Sequence, residues 1–366
     1  MVWIHGGGFY TGTGNIFDGS VLASFYNVVI VTINYRLDLL GFLNIPGSEI
    51  KGNYGLLDQV AALKWVQENI AGFGGKPDQV TLAGHSAGGA SVAMHLLSPL
   101  SKGLFQRAIC LSGFATQPYA FSVNKEAGKA VVQELDCADL KLIACLRSQN
   151  VTKFLSVSER ISTEVAGSML RPVVTVDGDF LTADPRTLLH QGKIHKVPSI
   201  LGYNLDDGIG IVTHGLPEPL TNNLDFSFVK DLINRLKFTT KTPSNIIKEI
   251  VLYKYTRHLH NESSYNVIKT SKELVTDSWS VAPGIEMASD FALSDVPCYF
   301  YVFSHRSAYS VNPEFHGVGH GDELPYIFGG PWRELRGLNF TTGFTEIERG
   351  LSLLLMTFST NFVKYG

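Results

Sequence analysis

The chain has 366 residues, 45% hydrophobic and 17% charged, with 30 basic and 33 acidic side chains for a formal net charge of -3. That is a globular composition. It excludes a disordered chain, a polybasic nucleic-acid binder and a site built for strongly charged ligands. No run reaches the ~18 uninterrupted apolar residues of a membrane span, and the late run 351–356 reads as a buried helix face.

In chain order, Val2 to His5 reads as a core strand that starts at once rather than as a signal peptide or a disordered leader. The expectation is therefore a true start upstream, or a shortened form. Asn27 to Asn34 (NVVIVTIN) is a nearly continuous β-branched run, predicting a strand buried on both faces. Tyr54 to Ile70 carries Leu57, Val60, Leu63, Val66 and Ile70 at helical spacing, and Gly72-Phe73-Gly74-Gly75 stops that helix. A strand over 79–83, a helix over 87–97 and a strand over 107–111 follow. This alternation predicts a parallel sheet with helices on its faces. Short helices are expected from about Val123 to Ser168, a strand over 198–203, helices from Phe226 to Ala292, a strand over 298–304 and a final helix over 345–365. With no repeat, low-complexity segment or linker, residues 1–366 are read as one large domain.

The strongest chemical signal is Gly84-His85-Ser86-Ala87-Gly88, a G-x-S-x-G turn between a predicted strand and an apolar helix. Such a turn lifts a serine hydroxyl above a sheet, and its glycines permit the strain and the close packing of the next helix. The second is His5-Gly6-Gly7-Gly8-Phe9, directly after the first strand. Consecutive glycines let backbone N–H groups converge, which an oxyanion hole requires. Gly7 and Gly8, with the N–H of Ala87, are the candidate donors. A base should follow later in the chain, and the glycine-rich run His316-Gly317-Val318-Gly319-His320-Gly321-Asp322-Glu323 offers His320, with His316 as its nearest rival. For the acid, Asp206 and Asp207 follow the strand over 198–203, and chemistry alone does not choose between them.

The four cysteines, Cys110, Cys137, Cys145 and Cys298, allow three full pairings. Cys137 and Cys145 are near enough in sequence to close a small loop, whereas Cys110 and Cys298 read as buried small hydrophobes. N-x-[ST] triplets at Asn150, Asn261 and Asn339 point, together with that loop, to a secreted or secretory-lumen glycoprotein.

Taken together the motifs resemble the type-B carboxylesterase/cholinesterase family. The likeness runs through Val2-Trp3-Ile4-His5-Gly6-Gly7-Gly8-Phe9, Asn34-Tyr35-Arg36, Gly41-Phe42-Leu43, Gly52-Asn53-Tyr54-Gly55-Leu56-Leu57-Asp58-Gln59, Gly84 to Ser91, Val176-Asp177-Gly178 and Gly319-His320 through Phe328-Gly329. The resemblance implies an α/β-hydrolase fold with a mostly parallel sheet and helices on both faces. It implies that the first strands are missing at the N-terminus and that a little is missing at the C-terminus. It places the acid on Asp207 and the base on His320, and implies a Cys137–Cys145 disulfide and a buried Arg36–Asp58 ion pair. His85 stands where many members carry glutamate. Ser168, Leu170 and Arg171, and Ile209 and Gly210, do not match an aromatic choline cage. The expectation is hydrolysis of small uncharged carboxylic esters through a Ser86–His320–Asp207 triad and an acyl-enzyme, needing no metal and no organic cofactor, with acyl chains of butyrate length or longer accepted as well as acetate. The alternatives are an adhesion member of the neuroligin type, which lacks the nucleophile, or an inactive esterase fragment. Nothing in the sequence sets an oligomeric state.

Overall fold

The structure is a computed structural model that describes residues 1–121, 126–138, 141–164, 173–213, 224–235, 244–257, 263–333 and 341–366. Among these described residues six strands, β1 (Val2–Ile4), β2 (Val31–Ile33), β3 (Thr81–His85), β4 (Arg107–Leu111), β5 (Ser199–Asn204) and β6 (Cys298–Phe303), form one sheet in the order β2-β1-β3-β4-β5-β6. Every neighbouring pair is parallel. This is the architecture expected of an α/β-hydrolase fold, with helices running between the strands.

Alternation along the strands builds two cores. Val2 and Ile4 of β1, Leu82 of β3, and Ala108 and Cys110 of β4 point to one face, where Leu56, Val60, Leu63 and Val66 of the helix Tyr54–Asn69 and much of the helix Ala87–His95 pack. Trp3, Ala83, Ile109 and Leu111 point to the other, against Met356, Phe362 and Val363 of the final helix Glu346–Tyr365. A strand with both faces covered has no solvent-facing side, which is why Val2–Ile4 of β1 and residues 108–111 of β4 are continuous apolar runs.

Several local expectations are revised. Only Val31–Ile33 of the run 27–34 is strand, and β2 is an edge strand rather than one buried on both faces. The helix Ser20–Tyr26 ends at Asn27 in the left-handed region, which leaves few residues for pairing. β3 starts at Thr81 because Pro77–Gln79 forms a 3₁₀ turn, and the helix after it stops at His95. Cys110 is buried, but Cys298 is only partly so, because it lies on edge strand β6. The run 351–356 buries Met356 but leaves Leu353 and Leu354 exposed, since only one stripe of the final helix faces the sheet.

The strand order decides where a site forms. From β1 the chain crosses to β2 on one side and later returns to place β3 on the other. The loops leaving β1 and β3 therefore diverge, and the crevice at their carboxyl ends is a topological switch point, the usual ligand position in open parallel sheets.

Candidate active site

Ser86 sits at that crevice. It follows β3 directly, with φ 57 and ψ -126, before the helix Ala87–His95. Such a backbone costs a non-glycine residue on the order of 1–3 kcal/mol and persists only where its surroundings over-determine it. Here Ser86 donates its N–H to Leu111 O at 2.9 Å, and its carbonyl accepts from Ala90 at 2.8 Å. Gly88 shows how tight the turn is: a Cβ there would lie 2.0 Å from the Ile4 carbonyl oxygen.

The glycine loop after β1 lies against this turn. A Cβ on Gly6 would meet Ser86 Cβ at 2.8 Å and Oγ at 3.5 Å. Gly7, Gly8 and Phe9 all have positive φ, at 109, 61 and 66, the left-handed region that glycine enters without strain. No acceptor among the described residues takes the N–H groups of Gly7, Gly8 or Ala87. The loop is anchored from behind. His5 stacks on Tyr35 at 4.5 Å, bonds the Gly6 carbonyl through Nδ1 at 2.8 Å, and its own carbonyl accepts the Tyr35 hydroxyl at 2.9 Å. Burial lowers the pKa of His5 and outweighs its bond to Gly6, so the ring is neutral at pH 7.

From the far side come Asp207, just beyond β5, and His320. His320 Nδ1 and Asp207 Oδ1 are 2.7 Å apart, and the His320 ring lies 4.4 Å from that of His85, the neighbour of Ser86. Asp207 is 3% exposed, and its Oδ2 accepts from Ser280 Oγ at 2.6 Å. Burial works to lower the His320 pKa. The charge of Asp207 and its hydrogen bond, aided by Glu323 and Asp322, overcome this and raise it above the usual 6.5. Asp206 faces elsewhere: Oδ1 pairs with Lys272 Nζ at 2.8 Å, and Oδ2 accepts from Val318 N at 2.8 Å. The rival histidine, His316, ends the 3₁₀ turn Glu314–His316 with its ring 5.0 Å from Phe315, and it is His320 that meets Asp207.

Three neighbours had no signal in the sequence. Ser280 comes from a helix without a motif. Glu323 lies in the glycine-rich histidine loop, but nothing there marks its burial. It is 1% exposed, Asn204 Nδ2 donates to its Oε2, and burial followed by the charge of Asp207 pushes its pKa up to about 7. His85 Nε2 lies 3.9 Å from the other Glu323 oxygen, and burial holds His85 well below its usual pKa, so it is uncharged. Tyr119 stacks on Trp279 at 5.1 Å. Ser86 lies near enough to the buried Tyr119 hydroxyl to ease its ionisation against the dominant effect of burial, yet the two make no hydrogen bond of acceptable geometry.

Cys137 and Cys145 are joined by a disulfide with their Cα atoms 5.6 Å apart. Asn150 is exposed and caps the helix Val151–Glu164, its Oδ1 accepting from Thr152 N at 2.8 Å. Asn261, Asn339, Ser168, Leu170 and Arg171 lie outside the described residues. Ile209 is buried and Gly210 exposed on the short helix Ile209–Thr213. Arg36 and Asp58 form a two-pronged ion pair with both contacts at 2.8 Å, but their side chains are 53% and 28% exposed, so the pair is not buried. The guanidinium lies over the Tyr54 ring, 5.5 Å from its centroid. Among the described residues, no three His, Cys, Asp or Glu side chains converge as a metal site, and no helix is long and apolar enough to cross a membrane.

Comparison with known proteins matches the carboxylesterase family over residues 1–366. The chain is 38% identical to a cholinesterase of Mus musculus over all of its own length and 61% of that protein. It is 36% identical to an acetylcholinesterase of Bungarus fasciatus, again over its whole length and 61% of the relative. Against neuroligin-3 of Mus musculus the identity is 37%, covering the whole chain and 44% of the relative. The chain thus spans about three-fifths of these cholinesterases and under half of the neuroligin. A full-length family match on an all-parallel sheet with a serine turn at its switch point leads to one conclusion: this chain belongs to the carboxylesterase family.

Proposed function

We propose that this chain hydrolyses small, uncharged carboxylic esters through an acyl-enzyme. Ser86 Oγ attacks the ester carbonyl while His320 Nε2 takes its proton. The N–H groups of Gly7, Gly8 and Ala87 stabilise the oxyanion of the tetrahedral intermediate. Collapse breaks the C–O bond, and His320 returns its proton to the departing alcohol. Water then attacks the acyl carbonyl with His320 again as base, releasing the acid and restoring Ser86. Asp207 holds the His320 tautomer that leaves Nε2 free to accept, and its charge favours the imidazolium of each transition state.

The observation that carries this reading is the 2.7 Å contact of Asp207 with His320, whose ring lies over the neighbour of Ser86 at the switch point. Family membership supports ester hydrolysis as the general reaction. The preference for uncharged esters rests on His85, a neutral side chain beside Ser86 where a carboxylate would favour a cation, and on the unmatched aromatic cage. The disulfide and the exposed Asn150 sequon support a secreted glycoprotein.

A second reading, a non-catalytic adhesion member, is favoured by the 37% identity to neuroligin-3. A fluorophosphonate probe separates the two. The chain should be labelled, and Ser86→Ala should abolish both labelling and turnover of p-nitrophenyl butyrate. Labelling that survives the substitution would reject Ser86, and an unlabelled, folded chain would favour the adhesion reading.

A further inference from the structure

Between the helices Ser264–Thr276 and Ala282–Leu293 the chain widens into one π-helical turn, Asp277–Val281. Such turns are rare and occur disproportionately at functional sites. This one borders the proposed acid on two sides. Thr276 Oγ1 accepts the N–H of Gly208 at 2.9 Å, and a turn later Ser280 Oγ donates to Asp207 Oδ2 at 2.6 Å. The backbone after the aspartate and the side chain itself are thereby held from one helical face. Between these two contacts Trp279 stacks on Tyr119, and its carbonyl accepts from Gln117 Nε2 at 2.8 Å. Gln117 Oε1 in turn accepts the N–H of Phe114, in the loop behind Ser86. One turn thus touches the walls of both Asp207 and Ser86.

Asp207 is 3% exposed, so an oxygen without a donor there would carry the full cost of burying charge. The carboxylate torsion is also soft and roughly two-fold. One contact, to His320, leaves it free to swing, whereas two set its plane. We propose that Ser280 is a positioning residue for Asp207, holding the carboxylate in the plane that presents Oδ1 to His320. The proposal rests on the esterase reading and adds to it a residue on an element that carries no recognised motif.

Other charges around the pair bear on the test. Asp207 is felt by His320, Glu323, Tyr119, Tyr203 and Tyr301. His320 faces Glu323, Asp322 and the neutral His85. Asp277 is bonded by Tyr255 at 2.6 Å and also acts on Tyr203, and Asp206 is paired with Lys272. None of these except His320 donates to the Asp207 carboxylate, whose side-chain partners among the described residues are His320 and Ser280.

With Ser280 removed, the carboxylate charge is shared with one donor fewer and acts more fully on His320, so the imidazolium is favoured. The wild-type kcat/KM should fall as pH drops through an apparent pKa above 6.5. In Ser280→Ala that acid limb should move further up, with kcat about tenfold lower, the size of one lost charge-assisted hydrogen bond, and KM little changed. Ser280→Thr should restore both. Ser271→Ala, an equally buried serine on the preceding helix, is the control and should move neither. An acid limb that stays in place in Ser280→Ala, even with a lower melting temperature, would overturn the proposal. Titration of the His320 ring by NMR reads the same shift without turnover: a raised His320 pKa in Ser280→Ala supports the proposal and an unchanged one overturns it. Inactivity of the wild-type chain would instead count against the esterase reading alone.

Discussion

Asp206 and Asp207 have the same chemistry and adjacent positions but unlike surroundings. Asp207 faces inward to His320 and Ser280, whereas Asp206 ties Lys272 to the loop that carries His320 through Val318. The two substitutions should therefore separate. On the proposed esterase reading, Asp207→Asn leaves an amide that stabilises the wrong histidine tautomer, and by analogy with Ser-His-Asp enzymes kcat should fall by about 10⁴. Asp206→Asn keeps an acceptor for Val318 and weakens one ion pair, so its loss should be within about tenfold. Steady-state kinetics on a neutral p-nitrophenyl ester would measure both, and the reverse ranking would assign the acid to Asp206. Sequence order alone left this choice open, because neighbouring residues after a strand point in different directions only once the loop is folded.

At the scale of elements, the final helix Glu346–Tyr365 has the best-specified start. Thr345 Oγ1 accepts from Glu348 N at 3.2 Å, and Glu348 Oε2 accepts from Thr345 N at 2.7 Å, a reciprocal capping box. Glu348 is 1% exposed and its other oxygen also accepts from Tyr326 at 3.0 Å and lies 3.2 Å from His305. Burial alone would raise its pKa, but these donors prevail, led by the Thr345 N–H, and lower it to about 2. A carboxyl whose folded pKa lies below its ordinary 4.5 stabilises the fold above that value, and the stabilisation is lost as pH falls from 4.5 towards 2. Glu348→Gln should therefore lower stability against urea at pH 7, and its deficit relative to wild type should shrink as the pH is lowered through that window. A deficit independent of pH would show that the charge contributes nothing. The helix itself was legible from its periodicity, whereas β2 was overextended because a β-branched run does not reveal that its first residues terminate the preceding helix at Asn27.

For the whole molecule, the Cys137–Cys145 bridge joins the end of the helix Glu126–Glu134 region to the helix Leu142–Ser148 and packs with Leu135, Phe154 and Val157 in a satellite core away from the sheet. The loop it closes is short, so the constraint on the unfolded chain is worth about 2.5 kcal/mol. The Cys137→Ala/Cys145→Ala double variant should lose that much unfolding free energy in a urea titration, with ester turnover per folded molecule unchanged. A comparable loss of turnover would show that the satellite core is coupled to the site.

The serine turn after β3, the glycine loop after β1 and the strand–helix alternation were all readable in the chain itself, because each depends on local backbone freedom and on periodicity. A left-handed serine in a glycine-flanked turn, or three glycines after a strand, has few structural solutions. What the chain could not express locally is which distant side chains meet. Only the folded sheet brings the loops after β1, β3 and β5 to one edge, turns Asp207 rather than Asp206 towards His320, and sets Ser280 behind it from a helix 73 residues further along. The same holds for the exposure of the Arg36–Asp58 pair and the burial of Glu323. Burial is a property of what packs on a residue, and a charged side chain carries no mark of it in its neighbours along the chain.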